Sequence, residues 1–289
     1  MLARPLLRFI LQLVLSVFGI ILLASLPYFI QATISGEYGW RYYGEAIVQI
    51  VYSFIHPLQQ TVTIGDSKQL LLPVLMDRVI YSLTILFCAI VFAFLLAVLL
   101  AIISMLFPYN IRKKFSFFLY LLESLPDLLV IVSIQMFIVF IFKKTGILLS
   151  SVATLGEQQI YVLPIVCLSI LPTIMLYRHV MVLLEDEWRK DYVTLAHSIG
   201  LKRVVIVVKH IFRNVVVSLF FQSKKTIWFM LSNLFVIEYF FNLGGIATFL
   251  KQHLHPVVFS YSMIAIFLPI FIIYTFGEWC FRKMGLIRI

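Results

Sequence analysis

From Val79 to Ile111 no residue is charged. As a helix that run would rise about 50 Å, more than the roughly 30 Å hydrocarbon core of a bilayer. A run so long and so apolar reads as a membrane span. In hydrocarbon each backbone N–H and C=O must be satisfied within the chain, so an isolated crossing segment must be helical. Composition extends the argument to the whole chain. Of its 289 residues 62% are hydrophobic and 12% charged, against about 45–50% and about 25% in soluble domains. The expected fold class is an all-α polytopic membrane protein.

Windows of about 20 apolar residues place six spans at 6–30, 78–107, 115–142, 160–184, 215–241 and 257–281. The first begins like a signal peptide, with Arg4 and Arg8 before apolar residues. The uncharged run from Phe9 to Gly36 exceeds a signal peptide's apolar region of about 7–15 residues, so a retained first helix is expected. Pro126, Pro164, Pro172 and Pro269 fall inside these spans, as packed membrane helices tolerate. Lys224 and Lys225 interrupt the fifth span.

Basic residues crowd into 4–8, 112–114, 178–213 and 282–288, and are sparse in 41–78, 143–144 and 251. This bias puts both termini and the 185–213 segment in the cytoplasm. It also accounts for the net charge of +10 without nucleic acid. The outer loop, 31–77, holds Ala46, Ile47, Ile50, Val51, Phe54 and Ile55 at helical spacing. They predict an amphipathic helix ended by Pro57, lying on the outer leaflet or packed on the bundle as a lid.

The segment 185–213 is polar for such a chain. Acidic Glu185, Asp186 and Glu187 suit the positive end of a short helix. Gly200 can take the left-handed conformation that ends one. Basic residues then thread an apolar run from Leu201 to Asn214. Composition alone fits two readings: a short helix, a tight turn and a return to the membrane, or an ordinary amphipathic loop whose basic residues snorkel.

The spacing of Asp191-Tyr192-Val193, Ala196, Gly200-Leu201, His210 and Arg213-Asn214 resembles the cytoplasmic signature loop of ABC-importer permeases. The likeness is closest to the oligopeptide/dipeptide/nickel family. Ser124-Leu125-Pro126 is similar to that family's Ser-Ile-Pro element. Glu238, Phe241 and Gly244-Gly245 are similar to its Glu…Phe-x-x-Pro-Gly element, with Gly244 in place of Pro. Arg4 to Pro27 resembles the opening of the B-type subunit. The family's Pro-Gly-Asp-Pro after the first helix has no counterpart in the outer loop.

The resemblance implies the type I ABC-importer permease fold, with a single permease domain over 1–289. It implies that Asp191, Tyr192, Ala196, Gly200, Leu201, His210, Arg213 and Asn214 form the coupling segment that docks on an ATPase. Ala196 would let the short helix seat closely in the ATPase groove. Implied partners are a second homologous permease in a heterodimer, two ATP-binding subunits and an extracytoplasmic substrate-binding protein. The implied setting is a bacterial or archaeal cytoplasmic membrane, and the implied cargo is peptides. No cofactor is expected in this chain: ATP and Mg belong to the partner ATPases, because no glycine here is followed by Lys as a P-loop requires.

Charges inside the spans are the other candidates. Glu123 and Asp127, four apart on one helix face, lie at a depth similar to Lys224 and Lys225, about 12–18 Å from the inner entry. Intramembrane charges normally find partners, so the acidic and basic pairs are expected to meet, along the translocation path or as a structural pair, unless the lysines snorkel to the inner interface. Glu238 is expected near the outer gate or at the interface. A metal site is not expected: His253 and His255 lack a carboxylate or Cys cluster, and no C-x-x-C occurs. The chain also lacks H-E-x-x-H and G-x-S-x-G, so an intramembrane enzyme is not expected. The alternative to the ATP-driven importer is a proton-coupled secondary carrier using the intramembrane carboxylates as relays.

Overall fold

The computed structural model describes residues 3–147, 150–151, 153 and 159–283. In chain order the elements are α1 (Ala3–Ile34), α2 (Gly39–Ile55), β1 (Thr61–Ile64), β2 (Ser67–Leu70), α3 (Leu71–Leu106), α4 (Tyr109–Glu123), α5 (Asp127–Thr145), α6 (Val162–Trp188) and α7 (Asp191–Ser198). There follow α8 (Arg203–Val205), a π turn (Ile206–Ile211), α9 (Phe212–Phe240), α10 (Ile246–Gln252) and α11 (Pro256–Lys283). Among the described residues six stretches are long and apolar enough to cross a membrane: Phe9–Ile34, Leu71–Leu106, Asp127–Thr145, Val162–Trp188, Arg203–Phe240 and Pro256–Lys283. The protein is a polytopic all-α membrane protein.

The third span differs from the expected continuous helix over 115–142. It breaks at Ser124-Leu125-Pro126, leaving α4 and α5 as separate helices. Proline has no N–H and disfavours helical backbone at the residue before it. Pro126 therefore caps α5, and its carbonyl accepts from Leu129 and Val130 at 3.0 and 3.2 Å. Glu123 and Asp127 consequently do not share the face of one helix. The fifth span also starts earlier than expected. The return strut after Gly200 is itself helical and runs through the π turn into α9.

The chain divides into two compact units. The first comprises residues 1–83 and 244–289. Here α2 turns back onto α1 and also packs on α11. The Tyr43 hydroxyl donates to the Leu22 carbonyl at 3.2 Å, and that of Tyr261 to the Ser53 carbonyl at 2.8 Å. Ala46, Ile50 and Ser53 are buried, whereas Val48, Val51 and Ile55 are exposed. α2 is thus packed along one edge and bare along the other. The β1–β2 hairpin pairs Thr61 with Leu70 and Ile64 with Ser67. Its alternation is too short and too polar to stand out among apolar helices. His253 Nε2 lies 2.9 Å from the Thr63 carbonyl, tying the hairpin to the end of α10.

The second unit, residues 84–243, holds the core of interest. Ala93, Ala97, Ala101 and Met105 recur every four residues on α3 and are fully buried. Small side chains in such a stripe let helices approach closely. Tyr177 of α6 is buried in the same cluster. Its hydroxyl donates to Ser104 Oγ at 3.1 Å and lies 2.9 Å from Ser116 Oγ. One tyrosine so links α3, α4 and α6. α6 packs along α9, and much of α6 is buried.

Candidate functional site

The polar segment folds as a short helix, a tight turn and a return, all within the second unit. α7 has eight residues, from Asp191 to Ser198. It ends in a Schellman motif: Gly200 donates to the His197 carbonyl at 3.0 Å and Leu201 to that of Ala196 at 3.2 Å. The motif needs a left-handed residue at position 200, and Gly200 has φ +80°. A Cβ built there would meet nothing within 4 Å, so glycine is required by backbone angle and not by lack of space.

Two faces of α7 have different jobs. Val193 and Ala196 are 2% and 6% exposed and pack with Ile206, Val207 and Ile211. Leu195 and Ile199 are 65% and 68% exposed. Ala196 therefore turns toward its own chain. This corrects the expectation that its small side chain faces an ATPase groove: its size lets α7 sit close on the π turn. The bare apolar side chains are Leu195 and Ile199, which the motif does not mark.

Glu187, at the end of α6, holds the segment together. Its Oε2 accepts from the Tyr192 hydroxyl at 2.6 Å and from Asn214 Nδ2 at 3.4 Å, and Asn214 also reaches the Tyr192 oxygen at 3.4 Å. Lys190 Nζ pairs with Glu187 Oε1. Burial pushes the Tyr192 hydroxyl up to about 12, and the bond to Glu187 adds to the rise. The hydroxyl stays a donor throughout the neutral range. Nearby, the Trp188 ring lies under the Arg203 guanidinium at 4.9 Å and beside the His197 ring at 5.3 Å. Arg112 of α4 pairs with Glu185 at 3.2 Å. α6, α7 and the start of α9 are thereby pinned, and α6 is tied to α4. His210 lies in the π turn, a helix form often found at functional sites. Arg213 is exposed on the first turn of α9.

The carboxylates Glu123 and Asp127 find partners other than the expected ones. Glu123 Oε1 pairs with Arg178 Nη2 of α6 at 3.0 Å, and its other oxygen is buried without a hydrogen bond. Asp127 accepts from Asn233 Nδ2 of α9 at 2.7 Å. Arg178 and Asn233 thus stand where Lys224 and Lys225 were expected. Glu123 ends α4 and Asp127 opens α5, so the two carboxylates sit on separate helices. Lys224 and Lys225 are exposed on α9, and Glu238 is 1% exposed near its far end.

The model of the family described as the binding-protein-dependent transport system inner membrane component matches residues 93–282. The chain belongs to this family. It is a non-catalytic membrane component of an ABC transporter, a class that works with an ATPase and a substrate-binding protein. No curated protein matches the chain. Membership displaces the proton-coupled carrier.

In this permease the signature residues come together only in part. Tyr192 and Asn214 touch, and Ala196, Gly200 and Leu201 build one turn. His210 is half-buried and Arg213 exposed. Glu187, Trp188, Arg178 and Arg203 carry much of the local geometry and escaped the sequence reading. Glu187 was visible there only as helix-start acidity, because nothing in its spacing from Asn214 announces a contact.

Proposed function

We propose that the permease imports peptides and receives the work of ATP hydrolysis through α7. The observation that carries this reading is the two-faced helix itself. Its inner face is locked to α6 and α9 by Glu187, Tyr192 and Asn214, and its outer face presents Leu195 and Ile199. An apolar knob on a rigid mount transmits a push, whereas a floppy loop would absorb it. Closure of the ATPase pair tilts α6 and α9 and alternates access to the pore.

In this reading α7 and both termini face the cytoplasm. The permease pairs with a second, related but non-identical permease and binds no nucleotide; two ATPases hold ATP and Mg. Asp191, Tyr192, Ala196, Gly200, Leu201, His210, Arg213 and Asn214 belong to the coupling segment. Glu123, Asp127, Lys224, Lys225 and Glu238 are the charged groups along the translocation route. Peptide cargo rests on the subfamily resemblance.

The test is reconstitution of the permease with its partner subunits in proteoliposomes. A Leu195→Cys variant is expected to form a disulfide with a cysteine placed in the ATPase groove, and vanadate is expected to stop peptide uptake. Cross-linking to lipid-facing probes only, or uptake indifferent to vanadate, overturns the coupling reading. Uptake of another cargo with peptides ignored overturns the substrate reading alone.

A further inference from the structure

α4 carries three consecutive basic residues and uses one of them internally. Arg112 points into the second unit and pairs with Glu185. Phe115, Ser116 and Leu119, on the same side, pack against the core or bond to Tyr177. At 100° per residue, Asn110, Lys113, Lys114, Phe117, Phe118 and Leu121 lie on the opposite face, and all six are exposed. Among the described residues neither Lys113 nor Lys114 has an ion-pair partner. No acid shares their face, for the one carboxylate of α4, Glu123, is turned away onto Arg178.

The bare face is graded along its length. Its first turns are polar and cationic. About 11 Å further along it is wholly apolar, with Phe117, Phe118 and Leu121 at 70%, 53% and 57% exposure. A cleft of about 440 Å³ opens at the junction, lined by Asn110, Lys113, Lys114 and Phe117. That volume falls within the roughly 300–1,000 Å³ of small-ligand sites.

We propose that this face binds an anionic phospholipid of the inner leaflet. The phosphate sits in the cleft on Lys113 and Lys114, and the acyl chains lie along Phe117, Phe118 and Leu121. The charge sign, the order of cationic before apolar turns and the cleft between them all match such a lipid. Scattered snorkelling lysines would give the first of these and not the cleft. The leaflet rests on the orientation proposed above.

The experiment uses the complete transporter in nanodiscs of equal phosphatidylglycerol and phosphatidylcholine, with retained lipid counted by native mass spectrometry. Wild type is expected to retain phosphatidylglycerol preferentially. Each lysine near an anionic surface contributes about fivefold, so Lys113→Ala/Lys114→Ala should cut the preference at least about fivefold. Lys143→Ala/Lys144→Ala removes the same charge from the far end of α5 and should leave it unchanged. Lys113→Arg/Lys114→Arg should keep it. If the alanine pair does not assemble, Phe117→Glu, which sets an acid in the cleft, is read instead and must lose the lipid. Equal retention in the alanine pair, or equal loss in both pairs, overturns the site. So does a photo-crosslinker at Phe117 that captures a protein subunit in place of lipid. An impermeant maleimide on Asn110→Cys reads the orientation separately: labelling from outside overturns the inner-leaflet assignment while the retention result still judges the cleft.

Discussion

Tyr192 donates its hydroxyl to Glu187 at 2.6 Å, joining the first turn of α7 to the last residues of α6 across a chain reversal. A hydrogen bond to a charged group contributes about 1.5–3 kcal/mol, toward the lower end at a partly exposed site. Tyr192→Phe keeps the ring and removes this bond. It should lower the melting temperature of the purified permease by a few degrees and raise ATP hydrolysis that is not accompanied by uptake. Glu187→Gln should do the same, because it also removes the partner of Lys190. Unchanged coupling in both variants would show that the mount need not be rigid.

Burial of the same hydroxyl, helped by its bond to Glu187, sets a pH dependence. The folded hydroxyl titrates at about 12, above the roughly 10 of an unfolded tyrosine. A raised pKa favours the protonated form in the folded state. The contribution is therefore fully present below about pH 10 and disappears as pH rises through about 12. The stability gap between wild type and Tyr192→Phe should stay constant from pH 6 to 9. It should then shrink between about pH 10 and about pH 12, and a gap that stays constant through that upper range as well would mean the folded hydroxyl titrates as the unfolded one does.

At Gly200 the space is open and only the angle is demanding. Left-handed backbone costs an L-residue about 1–2 kcal/mol, with Asn tolerated best. Transport should fall in the order Gly, Asn, Ala, Val at this position, and Gly200→Arg should stop it while the membrane helices stay folded. If Ala and Val match glycine in uptake and in thermal stability, the Schellman turn is dispensable.

The two faces of α7 separate folding from docking. Ala196→Trp inserts bulk against Val193 and the π turn. Overpacking costs about 1–3 kcal/mol or more, so this variant should lose thermal stability even as an isolated subunit. Leu195→Asp changes an exposed side chain, should leave that stability alone, and should cut ATPase retention in a pull-down at least tenfold. The reverse pattern would assign the outward role to Ala196 after all.

Long apolar runs made much of the fold legible, because a bilayer forces them into helices whatever their neighbours. The turn after α7 was legible through Gly200, whose conformational need shows in one residue. The break at Pro126 was not. Proline inside a span reads equally as a tolerated kink or as a stop, and the difference depends on whether neighbours satisfy the freed backbone. The partners of Glu123 and Asp127 followed from that break. Ala196 was misread for another reason: a small residue marks close approach without saying which neighbour approaches.

Glu123 and Arg178 offer the sharpest test of the ion pair between α4 and α6. Removing one partner of a fully buried pair costs about 3–5 kcal/mol, and the 45% exposure of Arg178 places this pair below that range. Arg178→Gln leaves a carboxylate whose second oxygen is already buried and unbonded, so it should destabilise more than Glu123→Gln. The double replacement should recover much of the loss, since no charge is left without its partner. Thermal unfolding of the four proteins in detergent reads the cycle. If the double variant is stable yet uptake is lost, the pair serves transport as well as packing. If uptake also recovers, the pair is a strut between α4 and α6. Additive destabilisation with no recovery would mean that the 3.0 Å contact carries no coupling energy.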